Sequence, residues 1–178
     1  MSDPLAFCTQ TVPLDTGSLG LLQRLFLVCD GTLTDILEAA VHEPIALKKL
    51  LVSTSPTLLP LDVLDLPVGS ALMTRRIVLY GEKSRRNYIY AESLISTERL
   101  PPRFRDELVE LNTPLGRLWL DFKIESRKEL VESSRCFASG IATYLCPDNS
   151  HEELLRRSYR VISGGIPLML ITEYVLSV

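Results

Sequence analysis

The strongest hydrophobic pattern in the chain lies near its C-terminus, where the glycine pair Gly164-Gly165 leads into an apolar run from residue 166 to residue 171. Because consecutive residues are apolar, both alternating faces of the run are apolar, which predicts a strand covered on both sides. Pro167 suits the first positions of such a strand, where no donor to a neighbouring strand is needed. The run therefore predicts a central strand of a sheet.

A carboxylate, Glu173, follows this run after one polar residue. Side chains alternate along a strand, so Glu173 shares a face with Met169 and Ile171 and points to an apolar interior or to the mouth of a cavity. A carboxylate in such a place requires a cation, a proton or a ligand. A solvated position just beyond the end of the strand is the alternative that the pattern leaves open.

Two helices are predicted in the first part of the chain. Ser18 caps an amphipathic helix that ends before Asp30-Gly31, with its apolar positions at Leu19, Leu22, Leu25 and Phe26. Thr34 caps a second helix after the turn. The first backbone amides of a helix have no carbonyl partners and can bind an anion, although capping over the core also explains the same residues.

A β-hairpin is predicted where two strand-like runs, Arg75–Glu82 and Arg86–Ile95, flank a polar, basic turn. Strand alternation puts Arg75 and Arg76 on opposite faces, so only one of them points inward. Arginine suits a carboxylate ligand because its planar fork donates two parallel hydrogen bonds and keeps its charge when desolvated. For either residue, a position in solvent is the alternative.

The remaining segments give weaker signals. Ile45–Val52 fits neither period, while three prolines in Ser53–Gly69 predict an extended surface loop that is long enough to act as a flap over a pocket. Arg127–Ser134 has the local propensity of a helix. Three arginines before the glycine pair are interpreted as solvated or structural rather than catalytic: Arg156, Arg157 and Arg160.

Two prolines also mark helix starts. Pro101-Pro102 begins a helix that ends before Asn112, and Thr113-Pro114-Leu115-Gly116 begins another short element. Backbone amides become available again at this second start.

Composition narrows the class of protein. The chain has 178 residues, of which 46% are hydrophobic and 23% are charged, as expected for one globular domain over residues 1–178. Its net charge of −3, with mixed signs along the chain, provides no broad positive field for a nucleic-acid backbone. No apolar run reaches the roughly 20 residues that a membrane span needs.

The cysteines and histidines suggest no metal site or hydrolase motif. Four cysteines lack paired metal-ligand spacing and the N-terminus lacks a secretion signal, so free thiols in a reducing cytoplasm are expected: Cys8, Cys29, Cys136 and Cys146. Only His42 and His151 are available for Ser-His-Asp chemistry. Neither lies in a nucleophile motif, and both are expected at the surface.

Six short segments are spread in order across nearly the whole chain. They are Cys29-Asp30-Gly31-Thr32-Leu33-Thr34, Arg75-Arg76-Ile77-Val78-Leu79, Tyr90-Ala91-Glu92-Ser93, Thr113-Pro114-Leu115-Gly116-Arg117, Arg157-Ser158-Tyr159-Arg160 with Ser163-Gly164-Gly165, and Leu170-Ile171-Thr172-Glu173. No segment is diagnostic alone. Together they resemble the chorismate lyase family, which makes 4-hydroxybenzoate and pyruvate from chorismate.

The resemblance implies an α+β fold with a single antiparallel sheet of about six strands, helices packed on it and an enclosed ligand cavity. It favours strands at Ile45–Val52 and Arg127–Ser134. It implies a cofactor-independent lyase that acts on chorismate as a cytoplasmic monomer, without a metal, a nucleic-acid partner or a membrane span. Its product would enter quinone biosynthesis or another aromatic pathway.

The resemblance also assigns site residues. Arg75 matches the substrate-binding arginine, and Arg76 replaces it if the hairpin register is shifted by one residue. Leu33 and Leu115 match positions whose main chain contacts the ligand. Glu173 is expected to bind the 4-hydroxyl end of the ring and to act in catalysis together with Arg75.

Two other functions stay open. The implied fold also resembles effector-binding domains of transcription regulators, so a non-catalytic sensor of an aromatic acid is the alternative. Such regulators carry a helix-turn-helix domain ahead of the effector domain, and because the core pattern begins by about Ser18, we expect none here. A related protein that has lost activity and only carries product is the third possibility.

Overall fold

The computed structural model of the chain describes residues 10–110, 113–137, 139–147 and 153–176. The strands in these ranges are β1 (Gln10–Val12), β2 (Ile45–Pro56), β3 (Ala71–Gly81), β4 (Asn87–Ser96), β5 (Arg127–Phe137), β6 (Glu153–Ser163) and β7 (Ile166–Leu176). The helices are α1 (Leu21–Val28), α2 (Leu33–Val41), α3 (Pro102–Glu110), α4 (Leu115–Asp121) and α5 (Ser139–Leu145).

All of these strands belong to one antiparallel sheet with the order β1-β5-β6-β7-β4-β3-β2. The sheet has seven strands rather than the expected number of about six, and β1 is the shortest. Gly164 and Gly165 form the turn from β6 to β7 with positive φ angles of 57° and 80°, as a tight hairpin turn requires. The predicted α+β class and the central position of β7 are therefore confirmed.

The helices cover the two faces of the sheet unequally. The pair α1–α2 packs on one face around Phe26 and Leu79, and the pair α3–α4 packs on the same face around Phe104 and Ile171. On the opposite face, α5 packs against Tyr90 and a short 3-10 turn packs near the other end of the strands. Two helix pairs on one face leave a space between them, and this space forms the site described below.

Two segments with ambiguous patterns are strands. A bulge between Lys49 and Leu51 shifts the alternation of β2, which is why this segment fits no single period. The helical propensity of β5 is overridden because its backbone pairs with β6 along its length and with β1 at its end. The strands that the family resemblance favoured are confirmed in both places.

The prediction of an extended surface loop at Ser53–Gly69 is wrong for the residues up to Pro56 and for the packing of the rest, although most residues after Pro56 are exposed. Its first residues extend β2 to Pro56, and a short 3-10 turn then carries Leu64 and Leu66 under the sheet with 0% and 5% exposure. This packing is on the face opposite the helix pairs. No residue of the segment lines the cavity, so it is not a flap over the pocket.

Some predictions fall partly on residues outside the described ranges. These residues are Cys8, His151 and Asn112. Cys29, Cys136 and Cys146 are free thiols, and His42 is exposed at the C-terminal end of α2. Within the described ranges, no helix combines the length and the apolar character needed to cross a bilayer.

Candidate active site

A cavity lies on the helix-covered face of the sheet, between the two helix pairs. It has about 680 Å³ of atom-free space, including space open to solvent. The sheet contributes Arg75, Ile77, Leu79, Ala91, Ser93, Lys128, Tyr159, Val161, Ile171 and Glu173 to its lining. The other lining residues are Thr32, Leu33, Thr34, Pro114, Leu115, Gly116, Trp119 and Ser126.

Arg75 is a buried cation that borders this cavity, with 1% of its surface exposed. Its Nη2 donates a hydrogen bond of 3.3 Å to the carbonyl oxygen of Thr113, and its Nε has no hydrogen-bond partner in the described part of the chain. None of the ion pairs among the described residues includes it. A desolvated guanidinium without a carboxylate is unfavourable unless a ligand supplies the negative charge.

Burial lowers the pKa of Arg75 to about 10. This value is well above neutral pH, so the guanidinium keeps its charge while it lacks the hydration that an exposed arginine has. The side chain is therefore prepared to bind a carboxylate with its planar fork.

Arg76, the neighbouring residue, lies on the other face of the sheet. Its Nε donates to Glu92 Oε2 at 2.9 Å, and this ion pair crosses from β3 to β4. Arg75, Ile77 and Leu79 instead share the cavity side of β3. The alternation predicted from the sequence is confirmed, and Arg75 rather than Arg76 faces the cavity.

Glu173 also borders the cavity, and its residue exposure of 7% rules out the solvated alternative. Both of its carboxylate oxygens are engaged: Oε2 accepts from Arg157 Nε at 2.7 Å and Oε1 accepts from the Tyr159 hydroxyl at 2.9 Å. A carboxylate oxygen can accept more than one hydrogen bond, so acceptor capacity is left for a ligand. The Glu173 carboxylate is thus a buried hydrogen-bond acceptor that two neighbouring side chains hold in position.

The structure overturns the interpretation of Arg157 as solvated. The residue is 1% exposed, pairs directly across from Glu173 between β6 and β7, and its Nη1 donates to the carbonyl oxygens of Phe26 and Cys29, the latter at 3.1 Å. Its guanidinium also lies over the Phe26 ring, 4.6 Å from the centroid. Arg157 therefore connects Glu173 to the end of α1.

The other two arginines of this cluster differ from each other. Arg156 is also buried, at 4% exposure, and pairs with Glu132 at 2.8 Å, so its interpretation as solvated is wrong as well. Arg160 is partly buried and pairs with Glu129. Both ion pairs are consistent with a structural role, which the sequence pattern gave as the alternative to a solvated position.

Tyr159 completes the contacts of Glu173. Burial, followed by the nearby charge of Glu173, raises the pKa of the Tyr159 hydroxyl well above its ordinary value. The hydroxyl consequently keeps its proton at neutral pH and acts as a donor to the carboxylate. Its place opposite Ile171 in the sheet puts it on the cavity side of β6.

The two predicted helix starts meet beside the cavity. Leu33 is the first residue of α2 and Leu115 is the first residue of α4. A Cβ atom added to Gly116 would lie 2.5 Å from Thr32 Cγ2, so a larger residue would force the Thr32 side chain to move where these helices touch. The cap of α2 is Thr32 and not Thr34, because Thr32 already has an extended backbone and Leu33 begins the helix.

Lys128, a cation that the sequence analysis did not select, borders the cavity from β5. Its Nζ donates to the carbonyl oxygen of Gly31 at 2.6 Å and lies 5.1 Å from the centre of the Tyr159 ring. Only its assignment to a strand with known register could have indicated it beforehand. Among the described residues, no cluster of three or more His, Cys, Asp or Glu side chains forms a metal site.

Comparison with known proteins identifies the family. The family model for Chorismate pyruvate-lyase Rv2949c-like matches residues 27–177. The chain belongs to the Rv2949c-like chorismate pyruvate-lyase family. The match spans every predicted site residue of this family member.

Two mycobacterial relatives support the assignment. The chorismate pyruvate-lyase of Mycobacterium tuberculosis (strain H37Rv) is 31% identical over 159 residues, which is 86% of this chain and 78% of the relative. The Mycobacterium leprae (strain TN) chorismate pyruvate-lyase is 30% identical over 160 residues, which is 86% of this chain and 73% of the relative.

A solved structure of a different protein shows the same fold. The effector domain of PhnF from Mycobacterium smegmatis superimposes with a TM-score of 0.62 and 12% identity, covering 82% of this chain and 88% of that domain. At this identity, the similarity concerns the fold of the lyase family member and not its activity.

Proposed function

We propose that the protein is a chorismate pyruvate-lyase that eliminates pyruvate from chorismate and releases 4-hydroxybenzoate. The observation that carries this proposal is Arg75, a buried guanidinium that borders a cavity and has no carboxylate partner among the described residues. The family suggests which anion binds there, because the relatives are named chorismate pyruvate-lyases and chorismate carries carboxylates.

In this proposal Arg75 binds the ring carboxylate of chorismate. The fork of a guanidinium matches a carboxylate in two parallel hydrogen bonds, and its partial desolvation strengthens the attraction. Leu33 and Leu115 lie beside the same cavity and contribute main-chain contacts to the substrate. Binding of the anion neutralises the charge that burial has left without a partner.

Glu173 binds the opposite end of the ring and assists proton movement. Its carboxylate accepts a hydrogen bond from the 4-hydroxyl group of the substrate, while Arg157 and Tyr159 hold it in place. Fixed acceptors of this kind need no reorganisation during the reaction. Glu173 and Arg75 are therefore proposed as the catalytic pair.

The reaction itself balances without an oxidant or a reductant. The C3–O bond breaks with its electron pair and releases the enolate of pyruvate, the ring loses its C4 hydrogen as a proton, and the enolate takes up one proton at its methylene carbon to become pyruvate. Aromatisation of the ring supplies the driving force. The protein then has to bind and orient an anionic substrate and to assist proton transfer.

Incubation of the purified protein with chorismate tests the proposal, with 4-hydroxybenzoate and pyruvate measured together. We expect both products in equal amounts. Absence of both products would overturn the lyase assignment.

The variant Glu173→Gln tests the catalytic role of Glu173, because it keeps the size of the side chain and removes its ionisation. We expect at least a tenfold lower kcat, in line with general acid–base contributions of about a hundredfold or more. Near-normal turnover by a folded Glu173→Gln protein would contradict the catalytic role while leaving a binding role intact.

A non-catalytic sensor of aromatic acids is the second candidate, because the fold is also that of a PhnF effector domain. A sensor would bind 4-hydroxybenzoate or chorismate with a measurable dissociation constant and leave chorismate unchanged. The product assay and calorimetry on the same sample distinguish the two functions.

A further inference from the structure

We propose that Lys128 forms a second carboxylate subsite in the same cavity and binds the enolpyruvyl carboxylate of a dianionic substrate. The proposal rests on the lyase function above and deepens it, because chorismate carries two carboxylates and Arg75 accounts for only one. Nothing in the family resemblance assigns this residue.

The charges around the cavity lead to Lys128. Among the described residues that line it, Arg75 and Lys128 are the cations and Glu173 is the anion. Glu173 already has Arg157 as its charge partner, and Arg157 is not a lining residue. Neither lining cation forms an ion pair within the described residues, although Glu173 and Asp30 lie close enough to Lys128 to act on its charge. Two such cations match the two charges of a dianion.

The donors of Lys128 are only partly used. An ammonium group has three donors, and one of them is bonded to the carbonyl oxygen of Gly31 at 2.6 Å. That bond holds Nζ beside the start of α2. Lys128 is half-buried. Burial lowers the pKa of its ammonium group, and the charge of Glu173 counteracts this effect.

The two cations lie in different parts of the cavity wall. Arg75 is on β3 and Lys128 is on β5, and the sheet order places β4, β7 and β6 between them. The electrostatic neighbours of Lys128 include Glu173 and Arg157, whereas Arg75 acts on Lys49 instead. Both side chains nevertheless reach the lining of one cavity, as a substrate with one carboxylate on the ring and one on the enolpyruvyl side chain would require.

The subsite would distinguish substrate from product. Chorismate has both carboxylates, while 4-hydroxybenzoate keeps only the ring carboxylate. Once pyruvate has been eliminated, the product no longer uses Lys128. Loss of the Lys128 charge should consequently weaken binding of dianions and spare binding of monoanions.

Calorimetry with two stable ligands tests this difference without depending on turnover. One ligand is 3-(carboxymethoxy)-4-hydroxybenzoate, a dianion with carboxylates on the ring and on an ether side chain, and the other is the monoanion 4-hydroxybenzoate. The variants are Lys128→Met and Lys128→Gln as two neutral replacements, Lys128→Arg as a charge-conserving replacement, and Lys48→Met at an exposed position as the control.

We expect the neutral variants to weaken dianion binding about tenfold or more, as loss of a partly desolvated charge partner does. Their Kd for 4-hydroxybenzoate should stay within about twofold of the wild-type value, and Lys128→Arg and Lys48→Met should resemble wild type with both ligands. Kinetics with chorismate should show a corresponding rise in KM.

Equal losses for both ligands would overturn the proposal, since they would assign Lys128 the structural task of holding Gly31. Unchanged dianion binding in both neutral variants, or failure of the wild-type protein to bind either ligand, would overturn it as well. Chorismate turnover is measured independently of these affinities. A protein without lyase activity that still shows the dianion preference would contradict the proposed function and retain the subsite.

Discussion

Arg75 and Arg157 are both 1% exposed and both extend from the same face of the sheet, but they differ in their charge partners. Arg157 has a carboxylate at 2.7 Å, two carbonyl acceptors and two aromatic rings as neighbours. Arg75 has one long hydrogen bond to a carbonyl and borders a cavity. The first arginine has the partners of a structural ion pair, whereas the second lacks the anion that such a buried charge requires.

The arginine without a carboxylate partner marks the place of a ligand. Buried charges are tolerated in proteins when they are paired and hydrogen-bonded, as Arg157 is with Glu173. On the other face of the sheet, Arg76 and Arg156 also have carboxylate partners, Glu92 and Glu132. Arg75 departs from this pattern, and it does so at the cavity.

The largest effect is expected when the buried ion pair between Arg157 and Glu173 is broken. Arg157→Met leaves Glu173 buried without its cation, which should lower the free energy of unfolding by about 3 to 5 kcal/mol. Chemical denaturation measures the change. The matched control is Arg156→Met on the same strand, whose partner Glu132 is 46% exposed and can be solvated by water, so its loss should be much smaller.

The double variant Arg157→Met/Glu173→Gln sharpens this result. Removing both charges should restore part of the lost stability, because the unpaired carboxylate is no longer present. If Arg157→Met cost no more than Arg156→Met, the pair with Glu173 would not be the structural contact that the geometry indicates.

The next effect concerns Arg75, the buried cation without a carboxylate partner among the described residues. Arg75→Ala should lower kcat/KM by a factor of roughly thirty or more, because loss of a desolvated charge partner costs on the order of 2 to 5 kcal/mol of transition-state binding. Steady-state kinetics with chorismate measures it. Arg76→Ala serves as the neighbouring control and should change kcat/KM only slightly, since that side chain lies on the other face.

Substitution of Arg75 should also affect protein stability differently from substitution of Arg157. Burial lowers the pKa of Arg75, so its charge opposes folding, and Arg75→Met should leave the melting temperature unchanged or raise it. A strong loss of stability in Arg75→Met would show that Arg75 is a structural residue like Arg157. The reverse kinetic ranking of the alanine variants would show that Arg76 acts on the substrate.

The smallest effect concerns Glu43, a carboxylate that is held by hydroxyl groups and backbone amides and not by an arginine. Hydrogen bonds from Ser84 are the main cause that lowers the pKa of Glu43 to about 2 from 4.5, with further bonds from Lys83 and Tyr88. A carboxyl whose pKa is lower in the folded state contributes stability above its unfolded pKa. This contribution is lost as the pH falls from about 4.5 through about 2.

Glu43→Gln should therefore lower stability at pH 7 and approach wild-type stability near pH 2, as measured by thermal unfolding across this range. Glu92→Gln is the control, because burial raises the pKa of Glu92 and gives its pH dependence the opposite sign. Parallel pH profiles for the two variants would contradict the assigned difference between a carboxyl group whose pKa is lowered by hydrogen bonds and one whose pKa is raised by burial.

The local pattern of apolar residues was sufficient to predict a strand wherever its periodicity continued without interruption. The apolar run before Glu173 predicted the central strand, and the alternation along β3 predicted that Arg75 and Arg76 face opposite sides. The starts of α2 and α4 followed from turn and proline signals to within two residues of the observed positions. The assignment of Arg75, Leu33 and Leu115 to a site came from family resemblance in addition to these patterns.

Pairing between distant segments decided the rest. Counting back from the Gly164-Gly165 turn without interruption places Arg156 opposite Glu173, but a bulge between Val161 and Ile162 brings Arg157 there instead. One residue of register exchanges the two faces of β6, so the pair could not be read from spacing.

The same reason applies to β5 and to Lys128. The sequence of β5 favours a helix locally, but hydrogen bonds to β6 make the segment a strand. This strand brings Lys128 to the cavity. Strand periodicity is a property of the chain itself, and the sequence determines it. Bulges, registers and the partners of buried charges depend on segments far apart in the chain, so only the tertiary structure decides them.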